Sequence, residues 1–356
     1  MRRWFETGLR RADQPNATSD GEIREKSGFR SPGSVAFGGV IDHDINSDKE
    51  KLTMNSKRFV FPEVPAEIPH GDMPGDQIRI GEEHIGKARV IYPLLREKLD
   101  GMHEKKAVVA VCGGSGVGKS EIASVLAFFL NHDGIGTYIM SGDNYPRRIP
   151  RDNDLERVRV FRQGGLRGLC GHGLMTKEAA SELRRLWEED RDAEPAAARE
   201  YPWIEVYQRA GRRALTGYLG TPDETDFDEV SGILARFHQG EEKIYLKRMG
   251  RETTELWYDR VDFSGTRVLI LEWTHGNSDE LEGVDIPVLL NSTPAETLAH
   301  RRARNRDGKT DSAFTTMVLE IEQKKLEAQA YKAGIIISKA GEILSYPEYR
   351  RLMAEE

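Results

Sequence analysis

Short, uninterrupted apolar runs alternate along the chain with stretches in which apolar residues recur every three or four positions. Residues 107–112, 136–140, 266–273, 285–291 and 334–338 have the first pattern and read as strands buried on both faces, as a parallel sheet requires. Residues 84–99 have the second, with Ile85, Val90, Ile91, Leu94, Leu95 and Leu99 on one helical face and Pro93 as a candidate kink. Helices are predicted over 121–130, 177–190, 203–219, 226–239, 294–306, 312–330 and 347–353, with Asp226 as an N-cap. The proline-rich stretch 59–69 reads as extended chain, residues 164–173 (GGLRGLCGHG) as a flexible loop, and the cation-dense 243–251 as a short strand. Strands alternating with helices predict an α/β fold around a parallel sheet, with 151–220 as a mostly helical insertion.

One junction in this pattern carries chemistry. The run Ala107 to Cys112 breaks into Gly113-Gly114-Ser115-Gly116-Val117-Gly118-Lys119-Ser120, which satisfies the spacing G-x-x-x-x-G-K-[ST] between a strand and a helix. Glycines let successive backbone N–H groups converge on phosphate oxygens. Lys119 is placed to reach the β- and γ-phosphates, Ser120 to meet Mg²⁺, and the following helix points its positive end at the same anion. ATP with Mg²⁺ is the expected ligand pair.

In an open parallel sheet, ligands sit beyond the carboxyl ends of the strands. Asp143, just past the strand 136–140, therefore emerges beside the phosphate loop, where it could accept a hydroxyl proton or hold Mg²⁺ through water. Glu272 ends the apolar run 266–273 and is a second candidate for the Mg²⁺ site. Arg301, Arg302, Arg304 and Arg306 cluster at the end of a predicted helix and would form a lid over the phosphates, with Arg302 and Arg306 as catalytic candidates. Lys247, Arg248 and Arg251 are candidate contacts to an acceptor that carries an anion. His172, in the glycine-rich stretch, reads as a solvated histidine.

Composition narrows the class. The chain has 356 residues and a net charge of −7, which argues against a nucleic-acid-coating protein. No apolar run approaches a membrane span, and the first residues lack the apolar core of a signal peptide. Two cysteines, Cys112 and Cys170, form neither a disulfide framework nor a zinc spacing, and a reducing cytoplasm is the simplest compartment. Residues 1–55 read as a poorly ordered extension, 56–104 as a linker with a leading helix, 105–345 as the nucleotide-binding domain with a lid at 301–312, and 346–356 as a terminal helix.

With these pieces in order, residues 105–338 resemble the phosphoribulokinase and uridine kinase family of P-loop kinases. The phosphate loop GGSGVGKS is close to the family's form. Ser141-Gly142-Asp143-Asn144-Tyr145 is similar to the strand-end motif whose Asp is the catalytic base, and Leu269-Ile270-Leu271-Glu272 to the strand ending in the metal-associated Glu. Thr221 to Asp228, TPDETDFD, is similar to the acidic segment in which the Asp after Pro binds substrate hydroxyls; that role would fall on Asp223. Arg301 to Asp307 is similar to the arginine lid. The chain departs from the family after Glu272, where Trp273-Thr274-His275 replaces the usual Gly, and in the length of the segment between Asp143 and Asp223.

The resemblance implies a three-layer P-loop nucleoside-triphosphate hydrolase fold with a helical insertion. It also implies transfer of the γ-phosphoryl of ATP to a hydroxyl of a small metabolite: a nucleoside, sugar or sugar phosphate. Lys119, Asp143, Arg302 and Arg306 would be catalytic. Ser120, Glu272 and Asp143 would serve Mg²⁺, and Asp143, Tyr145, Asp223, Lys247, Arg248 and Arg251 would face the acceptor. A non-catalytic nucleotide-binding regulator and a nucleic-acid end kinase are the alternative readings, and the insertion could also serve as a homo-oligomer face.

Overall fold

The computed structural model describes residues 59–103, 105–293, 295–298 and 312–355. The expected poorly ordered extension and the arginine lid, including Arg302 and Arg306, lie outside the described residues. After an extended lead-in come α1 (Glu82–Gly101), β1 (Ala107–Gly113), α2 (Lys119–His132) and β2 (Thr137–Ser141). Helices α3 (Pro150–Gly171), α4 (Lys177–Glu188), α5 (Ala197–Glu200), α6 (Ile204–Thr216) and α7 (Phe227–His238) follow. The chain continues through β3 (Lys243–Met249), β4 (Leu256–Asp262), β5 (Val268–Glu272) and β6 (Ile286–Leu290). It closes with α8 (Ala313–Gln329), β7 (Ile335–Ile337), β8 (Ile343–Leu344) and α9 (Tyr346–Glu355).

The sheet order is β2-β5-β1-β6-β7-β8. Every pairing in it is parallel except that of β8 with β7. Alternate residues of each strand feed opposite faces. Val109, Val111, Ile270 and Val288 pack with α1 and α2, whereas Val108, Leu269 and Leu271 pack with α7 and β3. Cys112, Leu289 and Ile336 meet α8 and α9 on that second side. The result is a three-layer α/β architecture of the nucleotide-kinase kind, with a mixed, mostly parallel sheet and a helical insertion between β2 and β5. Among the described residues no helix is long and apolar enough to cross a membrane.

The structure corrects the reading of residues 164–173. They continue α3 to Gly171, and Cys170 is exposed on that helix. His172 is the exposed C-cap, its Nδ1 2.8 Å from the Gly168 carbonyl oxygen. The glycines serve contact, not flexibility. A Cβ at Gly164 would lie 2.4 Å from Ala214 Cβ, one at Gly168 2.4 Å from Ala210 Cβ, and one at Gly211 2.7 Å from the Phe161 ring. Helices α3 and α6 thus approach until backbones nearly touch, and that packing outweighs the low helix propensity of glycine. The strand 243–249 pairs with β4 as an antiparallel hairpin separate from the main sheet, a partner that the apolar pattern did not announce.

Gly164→Leu is expected to destabilise the protein by at least about 2 kcal/mol, because the added side chain must displace helix backbone. Gly171→Ala, which meets open space, should leave stability unchanged or slightly raised. Urea unfolding of the two variants measures the difference.

Candidate nucleotide and acceptor site

Residues 113–118 turn from the end of β1 into α2 with Gly113, Gly116 and Gly118 at φ +149°, +79° and +91°. A Cβ at Gly113 would sit 2.5 Å from the Leu290 carbonyl oxygen, and one at Gly118 2.9 Å from the His84 ring. Only glycine satisfies both the angle and the space there. Lys119 opens α2, and its Nζ donates to the Gly114 carbonyl at 3.1 Å, so the ammonium lies back over the loop. The concave backbone, the Lys119 charge and the helix N-terminus together fit the phosphates of a nucleotide.

Three strand ends converge beside this loop. Strand β5 lies between β2 and β1, which brings Glu272 level with Ser141 and next to Val111. Glu272 is buried, level with Ser141 and close to Ser120 and Lys119. Burial raises its carboxyl to about 7, the nearby Asp143 charge adds to the rise, and Ser120, Lys119 and Ser141 oppose it. Asp143 sits exposed in the single turn Gly142–Asn144 that follows β2. Lys119, Ser120, Asp143 and Glu272 are therefore brought together as expected. Among the described residues no three His, Cys, Asp or Glu side chains form a ready metal cage. Ser120 and Glu272 are oxygen donors of the type that hold Mg²⁺ when nucleotide phosphates and water complete its shell.

Trp273, the residue after Glu272, turns into the core. Its ring lies where any Cβ at Gly142 would fall, 2.0 Å away, and stacks tilted on Phe227 at 5.2 Å between centroids. A large residue after Glu272 is thus balanced by the absence of one before Asp143.

Several expected acceptor residues are buried inside the protein. Tyr145 is fully buried in the core with Phe227 and Leu246. Lys247 is buried, donating to the Pro146 carbonyl at 3.0 Å. Arg248 is buried between Asp72, at 2.9 Å, and Asp259, at 3.1 Å. Its charge is neutralised inside the protein, which corrects the reading of 247–248 as an anion-binding pair. Arg251 lies exposed in the β3–β4 turn, its N–H donating to Glu255 Oε2. The segment 221–226 does dock against the residues after Asp143, through Arg147 N–H to the Glu224 carbonyl and Asp226 N–H to the Tyr145 carbonyl, both 2.9 Å. Within it, however, Asp223 is exposed and Glu224 points inward, 1% exposed.

Sequence reasoning missed the lead-in strap before α1. Asp72 accepts from Ser141 N–H at 2.8 Å, Asn144 Nδ2 at 3.1 Å and Tyr138 O–H at 2.9 Å, besides its pair with Arg248. One carboxylate so ties the strap, the turn that carries Asp143, and the β3–β4 hairpin. Gly71 passes so close to Glu272 that a Cβ would lie 2.9 Å from its Oε1. The only signal for this in the chain was an H-G-D-M-P-G-D stretch, unusually rich in glycine and acid for a linker.

No family model matches the chain. It is 40% identical over 259 residues to the bifunctional alpha-galactosidase/sucrose kinase AgaSK of Mediterraneibacter gnavus. That match takes in 73% of this chain and 23% of the relative, so the chain spans less than a quarter of that protein's length. Among solved structures, a candidate fructose transport system kinase from Silicibacter sp. TM1040 superposes with a TM-score of 0.42 at 16% identity, over 68% of this chain and 94% of that one. A candidate uridine kinase from Bacillus stearothermophilus gives 0.34 at 13% identity, over 68% and 98%.

Asp72→Asn should cost about 3 kcal/mol in urea unfolding, since it leaves the Arg248 guanidinium buried without its nearest charge partner. Asp143→Asn, at an exposed position, should cost less than about 1 kcal/mol. Glu272→Gln should have the opposite sign. The raised carboxyl means that ionisation of Glu272 opposes folding, progressively from its ordinary range up to about pH 7 and fully above it. The glutamine variant is therefore expected to melt a few degrees higher than wild type in metal-free buffer at pH 8, with the gain shrinking toward pH 4.5.

Proposed function

We propose that this protein is an ATP-dependent kinase that transfers the γ-phosphoryl group to a hydroxyl of a small molecule. The observation that carries this reading is the convergence of Lys119 and Ser120 with Asp143 and Glu272 at the carboxyl ends of β1, β2 and β5. The 40% identical relative, a bifunctional protein whose name includes sucrose kinase, supports a sugar as the acceptor class.

In this reading the backbone of 113–118 and Lys119 hold the triphosphate. Ser120 and Glu272 would hold Mg²⁺, which would supply positive charge to the phosphate oxygens. Asp143 accepts the proton of the acceptor hydroxyl. The acceptor oxygen forms its bond to the γ-phosphorus as the bond to the β–γ bridging oxygen breaks, leaving ADP. Positioning and charge stabilisation do the catalytic work, so an exposed Asp143 held in a rigid turn is well suited to an acceptor arriving from solvent. Arg302 and Arg306, outside the described residues, would add charge over the transferring group.

Lys119→Ala and Asp143→Asn are each expected to lower acceptor-dependent ADP formation by at least about 100-fold with the fold retained, as judged by circular dichroism. Mass spectrometry of the acceptor distinguishes a new phosphoester from idle hydrolysis. Near-wild-type turnover by Asp143→Asn would remove the base from this mechanism, and nucleotide binding without phosphorylation of any acceptor would favour a regulator.

A further inference from the structure

We infer that Asn153, Arg157, Glu224, His275 and Glu322 form the acceptor subsite, and that it takes a neutral polyhydroxylated molecule in preference to a phosphorylated one. The inference rests on the kinase reading above. These residues come from α3, the turn after α6, the loop after β5, and α8, so the helical insertion supplies much of the subsite. Asn153 and Arg157 lie one helical turn apart on α3. Both donate to Glu224 Oε1, at 3.1 and 2.6 Å, while Gly220 N–H donates to Oε2 at 2.6 Å. Arg157 also faces Glu322 at 3.7 Å.

Two observations make this more than an internal ion network. Glu322 lines a small cleft with Gly114, Ser115, Ser292 and Thr297, so the cluster borders the phosphate loop through α8. Asn153 is only 5% exposed, yet its Oδ1 finds no hydrogen-bond partner among the described residues. A buried amide oxygen without a donor is costly, and a ligand hydroxyl would supply one. The cluster also lies within electrostatic reach of the reaction centre, since Glu322 senses both Lys119 and Asp143.

The charges set the class of ligand. Arg157 is already engaged by Glu224, Glu322 and Asp154. Burial holds His275 down at about 4, so it is neutral at physiological pH. Among the described residues Lys325 also faces Glu224, and in the kinase reading the triphosphate occupies Lys119. Glu224, Glu322 and Asp143 thus at least balance the cations left to the subsite. Among the described residues, carboxylates, an amide and an imidazole offer acceptors and donors for several hydroxyls but no surplus positive charge beside them for an acceptor phosphate.

Calorimetric titration of the full chain, with Mg²⁺ and a non-hydrolysable ATP analogue, tests this with sucrose, glucose, fructose and fructose 6-phosphate. The expected result is binding of at least one neutral sugar more tightly than fructose 6-phosphate. Glu322→Gln and Asn153→Ala should each weaken it at least tenfold, with affinity for the analogue within twofold of wild type. Glu322 is partly exposed, so its variant decides the matter if Asn153→Ala fails to fold. Tighter binding of fructose 6-phosphate, no binding of any neutral sugar, or unchanged sugar binding by the variants would overturn the inference. Sugar binding that depends on these residues, without a phosphoester when ATP replaces the analogue, would support the subsite and overturn the kinase reading instead.

Discussion

A buried carboxylate at the end of a central strand is the constraint around which this molecule is built. Glu272 lies on β5, between β2 and β1, level with Ser141 and close to Ser120. Its position is fixed by sheet pairing; its burial raises the carboxyl, and the charge of the exposed Asp143 nearby adds to the rise. The fold tolerates an arrangement that a purely stable core would avoid. Such local conflict is typical of functional sites.

The surroundings keep that place narrow. Gly71 covers Glu272, Gly142 leaves room for Trp273, and Gly113 lets β1 pass the Leu290 carbonyl. In each case the missing side chain is what allows two segments to approach. Asp72 then locks the geometry by bonding to the residues on either side of Gly142 and Asp143 and by absorbing the charge of Arg248. An isolated buried guanidinium would be expensive, and so would an isolated carboxylate; paired, they bind the lead-in strap to the hairpin β3–β4.

The insertion has its own core, in which Phe161, Leu183, Tyr207 and Leu215 are buried and Ile321 of α8 joins them. Glu224 ties it to the residues after Asp143 through the Arg147 N–H, and Arg157 ties it to Glu322 of α8, which lines a cleft with Gly114 and Ser115.

Much of this was legible from the residues in order. The apolar runs announced the five parallel strands because a strand buried on both faces must be apolar throughout, and the phosphate loop was legible because backbone geometry there admits only glycine at fixed spacing. Asp143 and Glu272 could be placed beside it because strand ends in a parallel sheet share one edge. The glycines of α3 were misread, since spacing cannot say whether a glycine frees the chain or lets a neighbour come close. Lys247 and Arg248 looked like a cationic surface because their neutralising partners, Asp72 and Asp259, and the Pro146 carbonyl reach them only after folding. Local pattern thus determined the sheet and the nucleotide end of the site, where the physics is short-range backbone geometry. The choice of Glu224 over Asp223 as the inward acid, and the role of the strap, depended on long-range packing and charge pairing, which only the tertiary structure decides.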